Sequence, residues 1–326
     1  MVTKGESKLT VLQPGNRILT ASEFQMLADV PSEIEWLANV QNPNTRIAYQ
    51  NDVQDFMAFA RIGPSHELRL VKRSHVIAWR KQLEHRGFGA ATIRRKLSAL
   101  ASLFEFLCEK NSVEANPVDG VDRPAMGSNE GKSPALSDER AKQLLDAPSP
   151  TTMKGMRDRA ILSALLFHGL RRAELCGLRV GDIQERRGVK HFRVEGKGGK
   201  TRFIPVHLHT IQRIGDYLAK SAHGEDVTAP LFWPVKNPAF ATTRKRLTGQ
   251  AIHKDIVRKY ARKIGIELSA ICVHGLRATA ATNALDHEAD IAKVQEWLGH
   301  SSISTTRLYD RRTTKPEESP TFKVSY

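Results

Sequence analysis

The sequence predicts a mainly α-helical protein with one small β-sheet, divided into a helical N-terminal unit and a mixed α/β C-terminal unit. Three observations carry this. Apolar residues recur at spacings of three and four over long stretches, the period of one helix face. A single Gly-rich turn, around GKGGK, is flanked by alternating apolar residues, the period of strands. An aperiodic Pro/Gly/Ser-rich segment, NPVDGVDRPAMGSNEGKSP, separates the two unlike halves.

Residues 1–31 are mixed and weakly periodic, and are expected to form a partly ordered tail. From Pro43 the sequence reads as helix, with Ile47, Val53, Phe56 and Met57 as its apolar stripe. In TIRRKLSALASLFEFLCEK, Ile93, Leu97, Leu100, Phe104 and Leu107 line one helix face. Arg94, Arg95 and Lys96 lie off that stripe, on a polar side expected to face solvent or a phosphate. Together these elements predict a helical domain at 32–122 and a linker at 123–136. The second unit, 137–326, opens with a helix at Ser137, where Asp138 and Glu139 suit a helix N-terminus. MRDRAILSALLFHGLRRAELCGL is strongly apolar helix interrupted at Gly169. HFRVEGKGGKTRFIPVH predicts a β-hairpin, with Phe192, Val194, Ile204 and Val206 on its apolar face. In TTRKRLTGQAIHKDIVRKYARKIGI, Ile252, Ile256, Tyr260 and Ile264 share a helical face, and Lys254, Arg258, Lys259, Arg262 and Lys263 crowd the rest. The remainder of the chain reads as mostly helical and ends in a short tail.

With 326 residues, 40% hydrophobic and 26% charged, the chain has an ordinary globular composition. Its net charge is +15, and residues 137–326 hold 33 basic and 20 acidic side chains, 33 − 20 = +13 of that excess. Such an imbalance points to a polyanionic partner, nucleic acid or an anionic membrane surface. No apolar run approaches the ~18 residues of a membrane-spanning helix. MVTKGESKLTVLQPGNR lacks the apolar stretch of a secretory signal. Cys108, Cys176 and Cys272 are too scattered for a disulfide framework or a zinc spacing. A reducing, cytoplasmic setting is expected.

Among candidate motifs, GKGGKT fails as a phosphate loop, because Val194 stands where the first glycine is needed and a strand follows instead of a helix. No His-Glu-x-x-His is present, and His207 and His209 lack a third ligand in view. The remaining polar groups each have an ordinary structural explanation. Arg171 could pair with Glu174 one helical turn on. Lys197 could be a solvated turn lysine, and His274 and Arg277 a helix cap and a surface arginine. His300 could be a C-cap neighbour, and Tyr309 a half-buried packing residue.

Their order and wording tell more. GLRRAEL, EGKGGKTRFIPV, HGLRATAATNAL and WLGHSSISTTRLY together resemble the tyrosine recombinases, or phage-type integrases. The resemblance covers the second unit through Tyr309, and the first unit resembles that family's core-binding domain. It implies that Tyr309 is a nucleophile and that Arg171, Lys197, His274, Arg277 and His300 complete an active site. One position departs: many members carry a second histidine directly after the arginine of the HxxR motif, where this chain has Ala278.

The implied reaction is strand exchange in duplex DNA through a covalent 3′-phosphotyrosyl intermediate and a Holliday junction. Two arginines suit the charge that gathers on an attacked phosphodiester. A phenol with pKa ≈ 10 is about one part in a thousand ionised at neutral pH, so it needs a base. Either histidine could serve; His274 is favoured as base and His300 as donor, with Lys197 protonating the leaving oxygen. No cofactor or metal is expected. Implied partners are duplex DNA at specific sites, a homotetramer, and an accessory DNA-bending protein or partner recombinase, with no membrane. Implied location is the cytoplasm, at the nucleoid, and the gene's setting a mobile element or a dimer-resolution system. Two alternatives share these residues: a type IB topoisomerase-like relaxing enzyme, and a non-catalytic DNA-binding relative.

Overall fold

In the computed structural model of the protein, residues 30–63, 65–125, 135–196, 199–221, 223–235, 245–267 and 271–310 are described. Both expected tails lie largely outside these residues, as does most of the linker. The chain divides into two units, Met1–Ser128 and Asn129–Tyr326.

The first unit is helical. Helix α1 spans Ser32–Asn39, α2 Pro43–Ala60, α3 Arg73–His85 and α4 Ala90–Glu109. Helix α2 starts where the sequence says it should: Pro43 fills the first turn, and the Asn42 side chain accepts from the Asn44 and Thr45 backbone N–H groups. The α4 stripe, Ile93, Leu97, Leu100, Phe104 and Leu107, is buried against Trp36, Phe56 and Trp79. Phe56 and Trp79 meet edge to face at 5.1 Å.

Two expectations fail here. Ile47 is 58% exposed and takes no part in the stripe of α2, whose buried residues are Asp52, Val53 and Phe56. Lys96 is not on a polar face: it is only 7% exposed. Its Nζ lies 3.3 Å from Asp52 Oδ1 and 3.0 Å from Asp55 Oδ2. Two acidic residues one turn apart on α2 draw the lysine inward, and Arg95 also pairs with Asp52.

In the second unit, the Ser137 side chain accepts from Arg140 N–H at the start of α5, Asp138–Asp146. Helix α6 covers Met153–His168 and stops at Gly169 in the left-handed conformation, φ 55°. It is buried on nearly every side, packing on α5, α8 (Leu208–Ser221) and α11 (Val273–Asp286). Short α7, Arg172–Gly177, leads into an antiparallel sheet ordered β1 (Ile183–Arg186), β2 (Val189–Glu195) and β3 (Thr201–Pro205). The expected hairpin is β2–β3, with Phe192 opposite Ile204 and both buried. Strand β1 was not expected, since IQER carries one apolar residue and no alternation.

The basic segment forms one helical rod whose middle is π-helical: α9 Gly249–Ala251, the π-segment Ile252–Arg258, and α10 Lys259–Lys263. Ile252, Ile256 and Tyr260 face the core as expected. Helix α11, α12 (Ile291–Leu298) and α13 (Ile303–Arg307) complete the unit. Among the described residues, no helix is long and apolar enough to cross a membrane.

Candidate active site

Five of the six predicted residues converge where α6, α11 and α12 end or begin. The sixth, Lys197, stands between β2 and β3 in the sequence and lies outside the described residues.

Two left-handed glycines shape the place. Gly169 ends α6, and Gly299, φ 69°, ends α12. A helix that stops this way leaves its last carbonyls without intrahelical partners. Arg277, on the second turn of α11, takes them: its Nη1 donates to Gly169 O, and its Nη2 to Leu298 O at 2.6 Å. Arg277 is 1% exposed. Burial, then the nearby Arg171, pulls its pKa down to about 10, so it stays charged at neutral pH.

Arg171 caps α7 and holds the adjoining carbonyl, its Nη2 donating to Gly299 O at 2.9 Å. The ion pair with Glu174 is present, Nη1 to Oε1 at 2.7 Å. It does not use Arg171 up, because that side chain remains 40% exposed. Glu174 also accepts from Arg171 N–H at 2.7 Å and from both Nη groups of Arg202 at 2.9 Å. Burial works against its charge, but hydrogen bonds from Arg202 and Arg171 hold the carboxyl below its ordinary value.

Tyr309 follows α13 and is 6% exposed. Its ring belongs to an apolar cluster with Ala278, Ala281, Leu285, Val294 and Leu298. The unusual Ala278 is therefore a packing residue on the tyrosine side of α11. The Tyr309 carbonyl accepts from Thr282 Oγ1 at 3.1 Å, which fixes the backbone. Its hydroxyl lies 3.3 Å from His274 Nε2. Burial raises the phenol's pKa, while Arg277 and Arg171 oppose the rise.

His274 stands on the first turn of α11 and keeps solvent access. Partial desolvation, then Arg277 and Arg171, lower its pKa. His300 is half-buried, with Nδ1 2.9 Å from Thr306 Oγ1. Its backbone is held on both sides by Gln295. Burial first, then Arg277, Arg171, His274 and Arg202, bring its pKa down to about 4. Both rings are neutral at pH 7, so each offers one acceptor and one donor nitrogen.

Arg202, Thr306 and Gln295 were missed by sequence reasoning. Arg202 had a signal: it lies two residues before the buried Ile204, hence on the same strand face. His207 and His209 are exposed, with His207 stacked on Phe167 at 4.2 Å. Among the described residues, no group of three His, Cys, Asp or Glu side chains could hold a metal. Elsewhere in the C-terminal unit, Lys245, Arg246, Lys254, Arg258 and Lys259 help line an open groove of about 900 Å³.

Residues 134–315 match the phage integrase family, and residues 35–111 match the phage integrase N-terminal SAM-like domain. The tyrosine recombinase XerC of Thermodesulfovibrio yellowstonii is 33% identical over 274 residues, covering 82% of this chain and 85% of its own. The tyrosine recombinase XerD of Pseudomonas putida is 32% identical over 295 residues, covering 84% and 88%. In fold, the chain resembles XerH site-specific recombinase bound to a palindromic difH substrate, with TM-score 0.67, 19% identity, and 81% and 75% of the two chains covered. It also resembles a lambda integrase dimer bound to a COC′ core site, with TM-score 0.62, 17% identity, and 90% and 98% covered.

Proposed function

Since the chain belongs to the phage integrase family of tyrosine recombinases, we propose that it cuts and rejoins duplex DNA at specific sites, with Tyr309 as nucleophile. The observation that carries this is the Tyr309 hydroxyl 3.3 Å from His274 Nε2, beside two arginines anchored on neighbouring carbonyls.

The chemistry follows from the protonation states. The phenol is protonated at neutral pH and His274 is not, so Nε2 can take the proton as Oη attacks the scissile phosphorus. The Oη–P bond forms, the P–O5′ bond breaks, and the 5′ oxygen takes a proton from Lys197. The exposed fork of Arg171 and the remaining N–H groups of Arg277 stabilise the non-bridging oxygens as charge gathers there. In the tautomer in which Thr306 donates to Nδ1 of His300, that ring carries its proton on Nε2 and adds a neutral donor. A 5′ hydroxyl from the partner duplex then gives its proton to the deprotonated Lys197 and attacks the phosphotyrosine: the new O5′–P bond forms, the Oη–P bond breaks, and Tyr309 recovers its proton from His274. One ester replaces another, so the exchange needs no nucleotide cofactor.

The basic groove of the C-terminal unit gives the duplex its sequence-independent hold, by neutralising backbone phosphates. The helical domain at 32–122 supplies a second DNA-contacting surface, and 123–136 links it to the catalytic domain at 137–326. Exchange between two duplexes requires four nucleophiles, hence a homotetramer with a Holliday junction as intermediate. An accessory DNA-bending protein or partner recombinase would set direction, and the enzyme would act at the nucleoid of the cytoplasm, for a mobile element or in dimer resolution.

The test is a nicked suicide duplex carrying the site, taken from DNA flanking the gene. The unsubstituted protein should form a covalent adduct mapping to Tyr309. Tyr309→Phe should bind the same duplex and form none; an adduct from that variant would sink the assignment.

A further inference from the structure

Arg202 is a cation on the inner face of the sheet, opposite Val194 and in line with Ile204. Its side chain is 17% exposed, and an arginine so placed is costly unless its donors are met. They are met in an unusual way. Two Nη groups grip both oxygens of Glu174 at 2.9 Å, and Nε donates to Trp297 O at 3.3 Å. A single side chain thus ties β3 to α7, the helix behind Arg171, and to the last turn of α12, which leads to His300. Glycine at 299 lets it come close: a Cβ there would lie 3.1 Å from Arg202 Nη1.

The arrangement has an electrostatic consequence. Glu174 carries one negative charge and faces two guanidinium groups. Were Arg171 its sole partner, the pair would be locally neutral and the fork would be drawn onto the carboxylate. Arg202 shares both oxygens from the buried side, so a net positive charge remains and it sits on the outward-facing Arg171.

We propose that Arg202 is a positioning residue for the strand-cleavage step, holding Glu174 so that Arg171 meets the scissile phosphate with its charge and geometry intact. The inference rests on the reading of the reaction given above. Arg202 touches neither phosphate nor tyrosine; it acts through Glu174 and Arg171.

Two variants test it. Arg202→Met removes the fork but keeps side-chain length on the inner face; Arg202→Lys keeps the charge without the fork. With DNA saturating, Arg202→Met should slow single-turnover adduct formation about 100-fold, and Arg202→Lys about 10-fold. The dissociation constant for DNA should change by less than about threefold. A methylphosphonate at the scissile position removes one non-bridging charge and with it much of the demand on Arg171. On that substrate Arg202→Met should come within about threefold of the unsubstituted protein. If Arg202→Met does not fold, Arg202→Lys alone decides, by the same narrowing. The proposal is overturned if the variants cleave the ordinary phosphodiester at an unchanged rate, or if their deficit is the same on both substrates. Absence of any Tyr309 adduct in the unsubstituted protein would overturn the reaction itself and this proposal with it.

Discussion

Lys96 in the N-terminal unit and Arg277 in the C-terminal unit are both buried cations on long helices, yet they are compensated differently. Lys96 lies between two carboxylates, Asp52 and Asp55, and near the rings of Trp79 and Phe88. Arg277 donates to two backbone carbonyls, Gly169 O and Leu298 O. A cation facing formal counter-charges contributes to the fold and presents little field outside. A cation facing dipoles is stabilised without being cancelled, and its charge remains for the phosphate of the proposed reaction. The difference separates a charge used for stability from a charge kept for chemistry.

The largest expected effects come from exchanging these roles. Arg277→Gln should slow adduct formation by about 10²–10³-fold. Lys96→Met should leave the rate on saturating DNA unchanged but destabilise the N-terminal unit by about 3 kcal/mol, as Asp52 and Asp55 lose a shared partner. Stopped single-turnover cleavage and thermal melts, run on both variants, give the comparison. A Lys96→Met protein with slowed chemistry and unaltered melting would break it.

Acid should separate the two units next. His168 is buried with Nε2 accepting from His207 N–H at 3.0 Å, and its pKa is brought down to about 4, chiefly by burial. His300 lies near the same value. The unfolded chain binds protons at these histidines below about pH 6.5, and the folded chain does not until about pH 4. Stability from their neutral state is therefore complete above about pH 6.5 and is lost as pH falls toward 4. The C-terminal unit should melt on the order of 5 °C lower at pH 4.5 than at pH 7. Asp55 in the N-terminal unit has the same sign but a more acid onset: burial opposes its charge, but Lys96 and Arg86 hold its pKa below 3.8, so its contribution persists until more acid conditions. Two resolved melting steps with different pH onsets would sharpen the contrast; a single common onset would remove it. Cleavage itself should lose its base only below the ordinary imidazole range, because the pKa of His274 is lowered.

The smallest effect concerns charge that is merely exposed. Lys254→Gln, in the groove, should reduce the slope of log affinity against log salt by about one and leave cleavage on saturating DNA unaltered. A catalytic deficit there would place Lys254 with the arginines instead.

Much of this was legible in the sequence where a local rule governed. The α4 stripe, the Ser137 cap, the stop at Gly169 and the β2–β3 hairpin each follow from spacing or from one residue's backbone preference. Legibility ended where the partner was distant. Lys96 looked like surface because its carboxylates lie on another helix. Ile47 fitted a helical period, but among the described residues it is left exposed. Arg202 was passed over although its alternation with Ile204 points it inward, because strand period tells which face and not what waits there. The site residues were nameable from motif order, but the closeness of Tyr309 to His274 is a product of tertiary packing between positions 35 apart in sequence.

That separation has a consequence in time. The contact from Arg277 to Gly169 closes a loop of 108 residues, and that from Arg171 to Gly299 one of 128. Contacts so distant in sequence form late in folding. Arg171, His274, Arg277, His300 and their carbonyl partners all precede Tyr309 along the chain, so during synthesis the proposed nucleophile leaves the ribosome after the rest of the described site. On the proposed reaction, a chain made only as far as His300 lacks the means to cut, and breakage of DNA waits until Tyr309 has been made and packed into place.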